Sequence, residues 1–581
     1  MHDIELPLGR RTTGYRLLEM LPALVTLGIP ASAIILTLVD PRLGAAFVAV
    51  FVAIGVLRAA RGAVDSVRGY RRLRAAERTD WGALAAALDA RITAEHGTAE
   101  HGTAEHGGAD AAILAMLPRW AIRRFAELLG RIRRRPGAAL RPGEIVHAVI
   151  IAAYAEPAEV VAQSIASLLD ARLGAERLVV VLAHEARGGP AMRRTAARLA
   201  AEHGHRFRAF LTIEHPAGLP GEVPGKGGNI THAGRGLLDW VVARGIDPER
   251  VLVTTLDCDN RVDPRYFDAV SCEFACAPDR RRVAFQPISV FTGNIWHAPA
   301  PTRLVAAGNS LWNLIATVRP LALRNFASHT QPLAALAEMD FWSRRTIVED
   351  GHQYWRSYFH FRGRYRVVPV HLPIQQDAVL ADSLGRTLFA QFRQLCRWAY
   401  GASDVPYVGV RLFGRRRPAP FWPTLRRFLQ LLESHVTLAI LTPMLAFGAW
   451  LPVLALGISA ELGFGHARVI GVVALLPEAS ATAQRVALLG LVAAMVLSAL
   501  LLPARPPGVG GARWIGMTLQ WALLPVTLFA YTSMTAVVSQ LRLLVGAYRV
   551  RFVVTEKSAA PRDPTGKTLT GTVALPRVRR P

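Results

Sequence analysis

The chain has 581 residues, a hydrophobic fraction of 51% and a formal net charge of +25. It is long enough for a soluble catalytic domain together with membrane segments. Such a charge would suggest nucleic-acid binding in a soluble protein, but the Arg clusters here flank apolar runs, so we expect a lipid bilayer and no nucleic acid as partner. The four cysteines form no disulfide framework, and Cys272 and Cys276 lack the second ligand pair of a zinc site.

The N-terminal region predicts a membrane hairpin. After a cytosolic tail of residues 1–16, an apolar run from Leu17 to Val39 is long enough to cross a bilayer, and it reads as an anchor rather than a cleavable signal. Asp40-Pro41-Arg42 forms a turn, and the run from Leu43 to Leu57 returns. Because arginines stand on both sides of residues 17–60, both ends are expected in the cytosol.

Residues 61–142 predict a basic, helical, low-complexity linker. Thr93 to Gly97 is repeated twice more, up to Gly107, and each repeat carries one histidine (His96, His101 and His106). We favour a low-complexity loop over a metal-binding tract, because each repeat has a helix-breaking Gly and no ligand geometry follows.

Residues 143–405 predict an α/β domain with a mostly parallel sheet covered by helices. Strands are expected at Ile145–Ala152, Arg177–Ala183, Phe207–Ile213 and Val251–Leu256, with helices from Val160 and between Asn229 and Val242. In this architecture ligands bind beyond the carboxyl ends of the strands. The polar residues that follow strand ends are therefore expected on one rim: Tyr154, Glu156, Glu185, Asp257 and Asp259.

Three polar signatures stand in a fixed order. Asp257-Cys258-Asp259 follows an apolar strand, where two carboxylates suit Mg²⁺ or Mn²⁺. Glu349-Asp350 offers a general base, although the acidic first turn of a helix explains the same pair. Gln394, Arg397 and Trp398 occupy positions i, i+3 and i+4, one face of a helix, where the alternative is ordinary packing.

This order resembles the membrane-integrated, processive family 2 glycosyltransferases, the cellulose, chitin and hyaluronan synthases, which carry D-x-D, T-E-D and Q-x-x-R-W. Here Val348 replaces the Thr of the second motif. The resemblance covers residues 144–405 and implies a GT-A, Rossmann-like domain that transfers a sugar with inversion from a nucleotide-sugar donor, expected to be a UDP-sugar. It also implies a general base at Asp350 beside Glu349, a metal on Asp257 and Asp259, and acceptor and diphosphate contacts at Gln394, Arg397 and Trp398.

The expected nucleotide contacts match the family only in part. Tyr154 and Glu156 stand in the first-strand region, and Glu185 stands where the family has an Asp pair. Lys226 lies in a segment that looks like the family's K-x-G-x-N motif, at a Gly-rich helix start that suits phosphate. His329 is interpreted as a local substitution rather than a catalytic group, and Asp377 is a further candidate for substrate binding.

The C-terminal part predicts an interfacial segment at residues 406–435, a transmembrane region at 436–546 and a basic tail at 547–581. The candidate spans are Val436–Ile458, Val486–Leu502 and Trp514–Val537. Three crossings would leave the basic tail outside, against the charge rule. Either a fourth crossing lies between Val526 and Gly546 or Val469–Leu476 is re-entrant, and we expect the tail inside.

Three functions remain open at this point. A polysaccharide synthase in the inner or plasma membrane, with a cytosolic catalytic domain and a glycan acceptor, is preferred because of the third signature. Only five spans are clear, which suits non-processive transfer to a lipid-linked acceptor. An inactive membrane scaffold in a secretion complex is the third reading.

Overall fold

The computed structural model describes residues 4–7, 9–97, 105–134, 139–462, 470–507 and 509–548. The chain forms two compact units. The first comprises Met1–Leu8, Gly69–Gly293 and Ala316–Asp377, and the second comprises Gly9–Arg68, Asn294–Ile315 and Ala378–Pro581. The predicted fold class is confirmed: a mostly parallel α/β sheet is accompanied by apolar helices long enough to cross a membrane.

The first unit contains an eight-stranded sheet in the order β3-β2-β1-β4-β7-β6-β8-β5. Parallel pairs join β1 to β2 and β4, β2 to β3, and β6 to β8, whereas β7 and β5 pair antiparallel with their neighbours. The strands are β1 Val146–Ala153, β2 Leu178–Glu185, β3 Ala209–His215, β4 Val251–Asp257, β5 Arg261–Val262, β6 Val283–Val290, β7 Thr330–Pro332 and β8 Arg366–Gln375.

Helices cover both faces of this sheet, because its central strands are apolar on both sides. All eight residues of β2 are buried, as expected for a strand in the middle of a parallel sheet. Before Gln375, α1 Thr13–Val39 belongs to the second unit, α10 Ala300–Val318 belongs mainly to it, and α2 Pro41–Arg78 begins in the second unit and ends in the first. The helices of the first unit are α3 Trp81–Gly97, α4 Glu105–Ala115, α5 Arg119–Arg134, α6 Ala158–Leu169, α7 Gly189–His203, α8 Lys226–Ala243, α9 Tyr266–Ala275, α11 Leu333–Glu338 and α12 Glu349–His360.

The later helices belong to the second unit. They are α13 Leu384–Ala399, α14 Asp404–Phe413, α15 Phe421–Phe447, α16 Trp450–Glu461, α17 Ile470–Ala474, α18 Leu476–Leu500, α19 Ala512–Leu519, α20 Leu524–Thr527 and α21 Met534–Val545. Within the described ranges, five helical stretches are long and apolar enough to cross a membrane: α1, α2, α15, α18 and the stretch Ala512–Val545.

Two boundaries in the second unit differ from the sequence-based expectation. The predicted span from Val436 to Ile458 is interrupted, because α15 ends at Phe447 and α16 begins at Trp450. Gly448 caps α15, and a Cβ atom there would lie 2.3 Å from the Met444 carbonyl oxygen. The start of the helix also differs from the prediction: α15 begins at Phe421, before the predicted start at Val436 and inside the segment predicted to be interfacial.

The last helix ends beside the first. The Arg16 guanidinium, near the start of α1, donates to the carbonyl oxygens of Leu543 and Leu544 at 2.9 Å each. Glu19 accepts a hydrogen bond from the Tyr548 hydroxyl at 2.5 Å. Residue 548 thus lies next to the start of α1. The predicted tail beyond it, and the side chains of the repeat histidines His96, His101 and His106, lie outside the described residues.

Candidate active site

The D-x-D loop follows β4, which pairs in parallel with β1. Asp257 ends β4 and is aligned with Ala152 of β1, and its side chain is one-third exposed. Asp259 is buried, and its Oδ2 accepts the main-chain N–H of Asp377 at 3.0 Å. The Asp377 carboxylate pairs with Arg261. Asp377, a predicted substrate contact, thus fixes the loop that carries the two motif carboxylates.

Lys226 joins the first and second signatures. It begins α8, and its ammonium lies 2.8 Å from Asp257 Oδ1, 3.4 Å from Asp350 Oδ1 and 3.2 Å from the carbonyl oxygen of Ala327. Burial disfavours the charged form, but the Asp257 and Asp350 carboxylates outweigh burial and raise the pKa of Lys226. The ammonium therefore remains charged between the two carboxylates.

The Glu349-Asp350 pair opens α12, so the base and the acidic first turn predicted from sequence coincide. Glu349 is 3% exposed, whereas Asp350 is about one-fifth exposed. Burial, together with the neighbouring Asp350 charge, raises the pKa of Glu349 to about 8. Glu349 thus holds a proton at neutral pH.

A close approach at Gly227 brings α8 and α12 together. A Cβ atom at Gly227 would lie 2.2 Å from the Ser343 carbonyl oxygen and 3.2 Å from Glu349 Cβ. Only a glycine allows the residue after Lys226 to meet the segment before α12 at this distance. The Gly-rich signal in the sequence therefore reflects helix contact as well as the helix start.

The predicted nucleotide contacts lie at the ends of β1 and β2. Glu156 accepts the main-chain N–H groups of Tyr154 at 2.6 Å and Ala155 at 3.1 Å, so its carboxylate shapes the loop after β1. The Arg187 guanidinium lies 5.3 Å from the centre of the Tyr154 ring and 2.9 Å from Glu185. The structure thus brings Tyr154 and Glu185 together through Arg187.

Sequence reasoning missed His215, which ends β3 opposite Glu185. Its Nδ1 lies 3.3 Å from Glu185 and its Nε2 lies 2.9 Å from Glu222. Because both partners are carboxylates, both ring nitrogens donate and His215 is an imidazolium. Burial opposes that charge, but the hydrogen bonds and charges of Glu185 and Glu222 prevail and raise the pKa of His215. The only sequence signal that could have identified His215 was its position at the end of a predicted strand.

His329 has the structural role that the sequence favoured. Its Nδ1–H donates to the carbonyl oxygen of Phe326 at 2.7 Å, and its Nε2 accepts the Trp342 indole N–H at 3.3 Å. Burial lowers the pKa of His329. The neutral ring therefore orders the segment that contains Ala327, whose carbonyl oxygen accepts from Lys226.

Gln394, Arg397 and Trp398 belong to the second unit. They lie on α13, which confirms the predicted helix, and Gln394 Oε1 accepts from Gln391 Nε2 at 3.1 Å. Trp398 is 39% exposed. The buried Cys396 between them is anchored through its carbonyl oxygen by Ser539 of α21 at 2.7 Å. This helix therefore presents an aromatic ring to its surroundings while its main chain is fixed to α21.

Comparison with known proteins identifies no family. No family model matches the chain, and no curated protein matches it. Among solved structures, a mannosyltransferase, PcManGT from Pyrobaculum calidifontis in complex with GDP-Man and Mn²⁺, is 15% identical, with 78% of this chain and 99% of that chain covered and a TM-score of 0.37. Residues 1–349 of TarS from S. aureus are 11% identical, with coverages of 56% and 93% and a TM-score of 0.28. Likenesses this weak carry no argument about function.

Proposed function

We propose that the chain is a membrane-integrated, inverting glycosyltransferase that transfers a sugar from a nucleoside-diphosphate donor, expected to be a UDP-sugar, to a glycan acceptor. The observation that supports this most directly is the Asp257–Lys226–Asp350 arrangement beyond the end of β4. It combines a carboxylate suited to a metal, a fixed positive charge and a carboxylate suited to a base. Parallel α/β sheets bind ligands at this edge.

Asp257 and Asp259 fit Mg²⁺ or Mn²⁺. Both supply oxygen ligands, and Asp257 already pairs with a cation, the Lys226 ammonium. Within the described part of the chain, no three His, Cys, Asp or Glu side chains are grouped to hold a metal by themselves. The remaining ligands would be diphosphate oxygens and water, as is usual for Mg²⁺. When bound, such an ion neutralises charge on the departing diphosphate.

Asp350 is the proposed general base. It accepts the proton of the acceptor hydroxyl while that oxygen attacks the anomeric carbon on the face opposite the diphosphate. The bond from the anomeric carbon to the phosphate oxygen breaks, and its electron pair stays with the nucleoside diphosphate. The Lys226 ammonium lies 3.4 Å from the Asp350 carboxylate, and protonated Glu349 adds no second negative charge. One displacement inverts the anomeric centre.

The other predicted residues have proposed binding roles. Tyr154, Glu156 and Glu185 line the nucleotide side at the ends of β1 and β2, with Lys226 toward the phosphates. On α13, Arg397 would bind diphosphate, and the exposed Trp398 ring would stack on a sugar of the acceptor. These α13 residues are the reason to prefer a polysaccharide product.

The membrane side of the proposal rests on the second unit. In the part of the chain that the structure describes, five helical stretches are candidate spans. Arg16 donates hydrogen bonds to Leu543 and Leu544, which supports placing the start of α1 and residue 548 on the same side of the membrane. We propose that this is the cytosolic side of the inner or plasma membrane. The small number of spans keeps transfer to a lipid-linked acceptor as a second candidate.

The test is incubation of the purified protein in lipid nanodiscs, with Mg²⁺ or Mn²⁺, against UDP- and GDP-sugars. We expect nucleoside diphosphate release that Asp350→Asn abolishes. Asp279→Asn is the matched control, because Asp279 is nearly half exposed and pairs with Arg282 at the surface. Long products would select the synthase and single additions to lipid the second candidate. Absence of turnover with every donor would leave the inactive scaffold.

A further inference from the structure

A short segment ahead of α1 is bound to the first unit close to the candidate base. Glu5 Oε1 lies 2.7 Å from the Arg356 guanidinium, and Glu5 Oε2 accepts the Ser343 hydroxyl at 2.7 Å. The carbonyl oxygen of the next residue, Leu6, accepts from the Arg345 guanidinium at 3.0 Å. Glu5 is thereby attached to two elements more than 330 residues away in the chain.

Arg356 carries this contact into α12. It lies on the helix that begins with Glu349 and Asp350, and it is 1% exposed. Its guanidinium also donates to the carbonyl oxygens of Phe341 and, at 2.9 Å, Met339. A buried guanidinium stays charged, so loss of a carboxylate partner leaves an uncompensated charge.

Residues 339–343, which contact both Glu5 and Arg356, also contact α8, the helix that begins with Lys226. This segment contains Asp340 and Phe341, whose φ angles of 55° and 59° are left-handed and need support from their surroundings. Its Trp342 main chain meets the Thr231 hydroxyl of α8 through both N–H, at 3.2 Å, and carbonyl oxygen, at 3.0 Å. Its Ser343 carbonyl is the group that approaches Gly227. The segment is therefore wedged between α8 and α12.

We propose that Glu5 is a positioning residue for sugar transfer: through Arg356 and Ser343 it fixes α12 against α8 and thereby sets the separation of Asp350 from Lys226. This inference rests on the proposed function. Glu5 touches neither donor nor acceptor in this role. Its effect falls on the chemical step, because displacement of a catalytic group by about 1 Å costs on the order of 100-fold in rate.

The experiment compares the full-length Glu5→Gln variant with the unmodified full-length protein, both in nanodiscs. We expect kcat to fall about 10-fold or more, with little change in KM for the donor. Glu338→Gln is the matched control, because Glu338 pairs with His360 at the other end of the same helix from an exposed position, at 2.8 Å. On an Arg356→Met background, Glu5→Gln should have a smaller effect on kcat than it has alone, because only the Ser343 contact of Glu5 remains to be lost. An unchanged kcat in Glu5→Gln, or additive effects in the double variant, would overturn the proposal.

A second measurement separates this inference from the proposed function. In Glu5→Gln, hydrogen exchange should become faster in residues 339–343 and in the first turn of α12, and it should stay unchanged in Glu338→Gln. Suppose that hydrogen exchange becomes faster in Glu5→Gln but the unmodified protein turns over no donor. That result would refute the proposed transferase activity and still support the contact of Glu5 with α12. If hydrogen exchange is unchanged in Glu5→Gln and the unmodified protein transfers sugar, only the positioning role of Glu5 is refuted.

Discussion

Replacing Gly227 with Ala tests whether the separation of α8 and α12 controls catalysis. The added Cβ atom would lie 2.2 Å from the Ser343 carbonyl oxygen, whereas ordinary contacts begin at 3.4 Å. The difference, 3.4 minus 2.2, means that the two groups must move apart by about 1 Å. The obstacle is main chain, which cannot rotate away as a flexible side chain would. The movement therefore separates Lys226 from Asp350.

The expected cost differs for stability and for activity. Overpacking of this kind destabilises proteins by about 1–3 kcal/mol, which a folded domain of this size tolerates. A shift of about 1 Å at catalytic groups lowers the rate on the order of 100-fold. We therefore expect a folded Gly227→Ala protein whose kcat for nucleoside diphosphate release falls far more than its thermal stability.

The assay combines turnover with thermal unfolding of the same nanodisc preparation. Gly351→Ala is the matched control, because Gly351 follows Asp350 in α12 and a Cβ atom there meets nothing within 4 Å. The control should retain its kcat, and its stability should be equal or higher because Ala favours helix. A Gly227→Ala protein with normal turnover would refute the argument that this approach sets the catalytic geometry.

Three further perturbations test other parts of the molecule. Because the pKa of His215 is raised in the folded protein, the charged ring contributes its full stability below about pH 6.5, the ordinary pKa of histidine, and this contribution is lost as the pH rises through the raised pKa. Tm should therefore fall more steeply with pH in the unmodified protein than in His215→Gln. Parallel curves of Tm against pH would contradict the assignment of His215 as an imidazolium. Asp377→Asn removes the charge opposite Arg261 and should weaken Mn²⁺ binding about 10-fold to 100-fold by calorimetry, whereas equal affinity would show that the D-x-D loop needs no such support. If the product is the proposed polysaccharide, Trp398→Ala should shorten it without stopping nucleoside diphosphate release, and Phe389→Ala, at another exposed position on the same helix, is the control. Products of unchanged length would contradict an acceptor contact at Trp398.

Local patterns were sufficient to predict four of the strands of the sheet, β1 to β4, and the positions of the first two signatures in it. Val251–Leu256 is rich in apolar and β-branched residues, so its burial and the exposure of Asp257 at its end follow from sequence. The helix start at Glu349 follows from its acidic first turn. Parallel strand order then brings strand ends to one edge, which is why Tyr154, Glu185 and Asp257 were expected together.

The supporting contacts could not be predicted, because each joins residues far apart in the chain with no local pattern. Glu5 meets Arg356, and Asp377 supports Asp259, across separations that sequence periodicity does not encode. His215 depends on the alignment of β3 with β2, which places it opposite Glu185. The break at Gly448 was missed because both sides of it are apolar, and hydropathy alone does not reveal a helix end.

The identity of residue 226 follows from the geometry around it. The chain has 68 lysines and arginines, and the three lysines are residues 226, 557 and 567, so lysine is rare here. An ammonium has three donors on one atom, and Lys226 Nζ faces three acceptors, on Asp257, Asp350 and Ala327. A planar guanidinium spreads its donors over a rigid fork and would not direct them to one point. If a divalent ion takes over Asp257, Lys226 retains Asp350 and Ala327, so positive charge stays beside the proposed base.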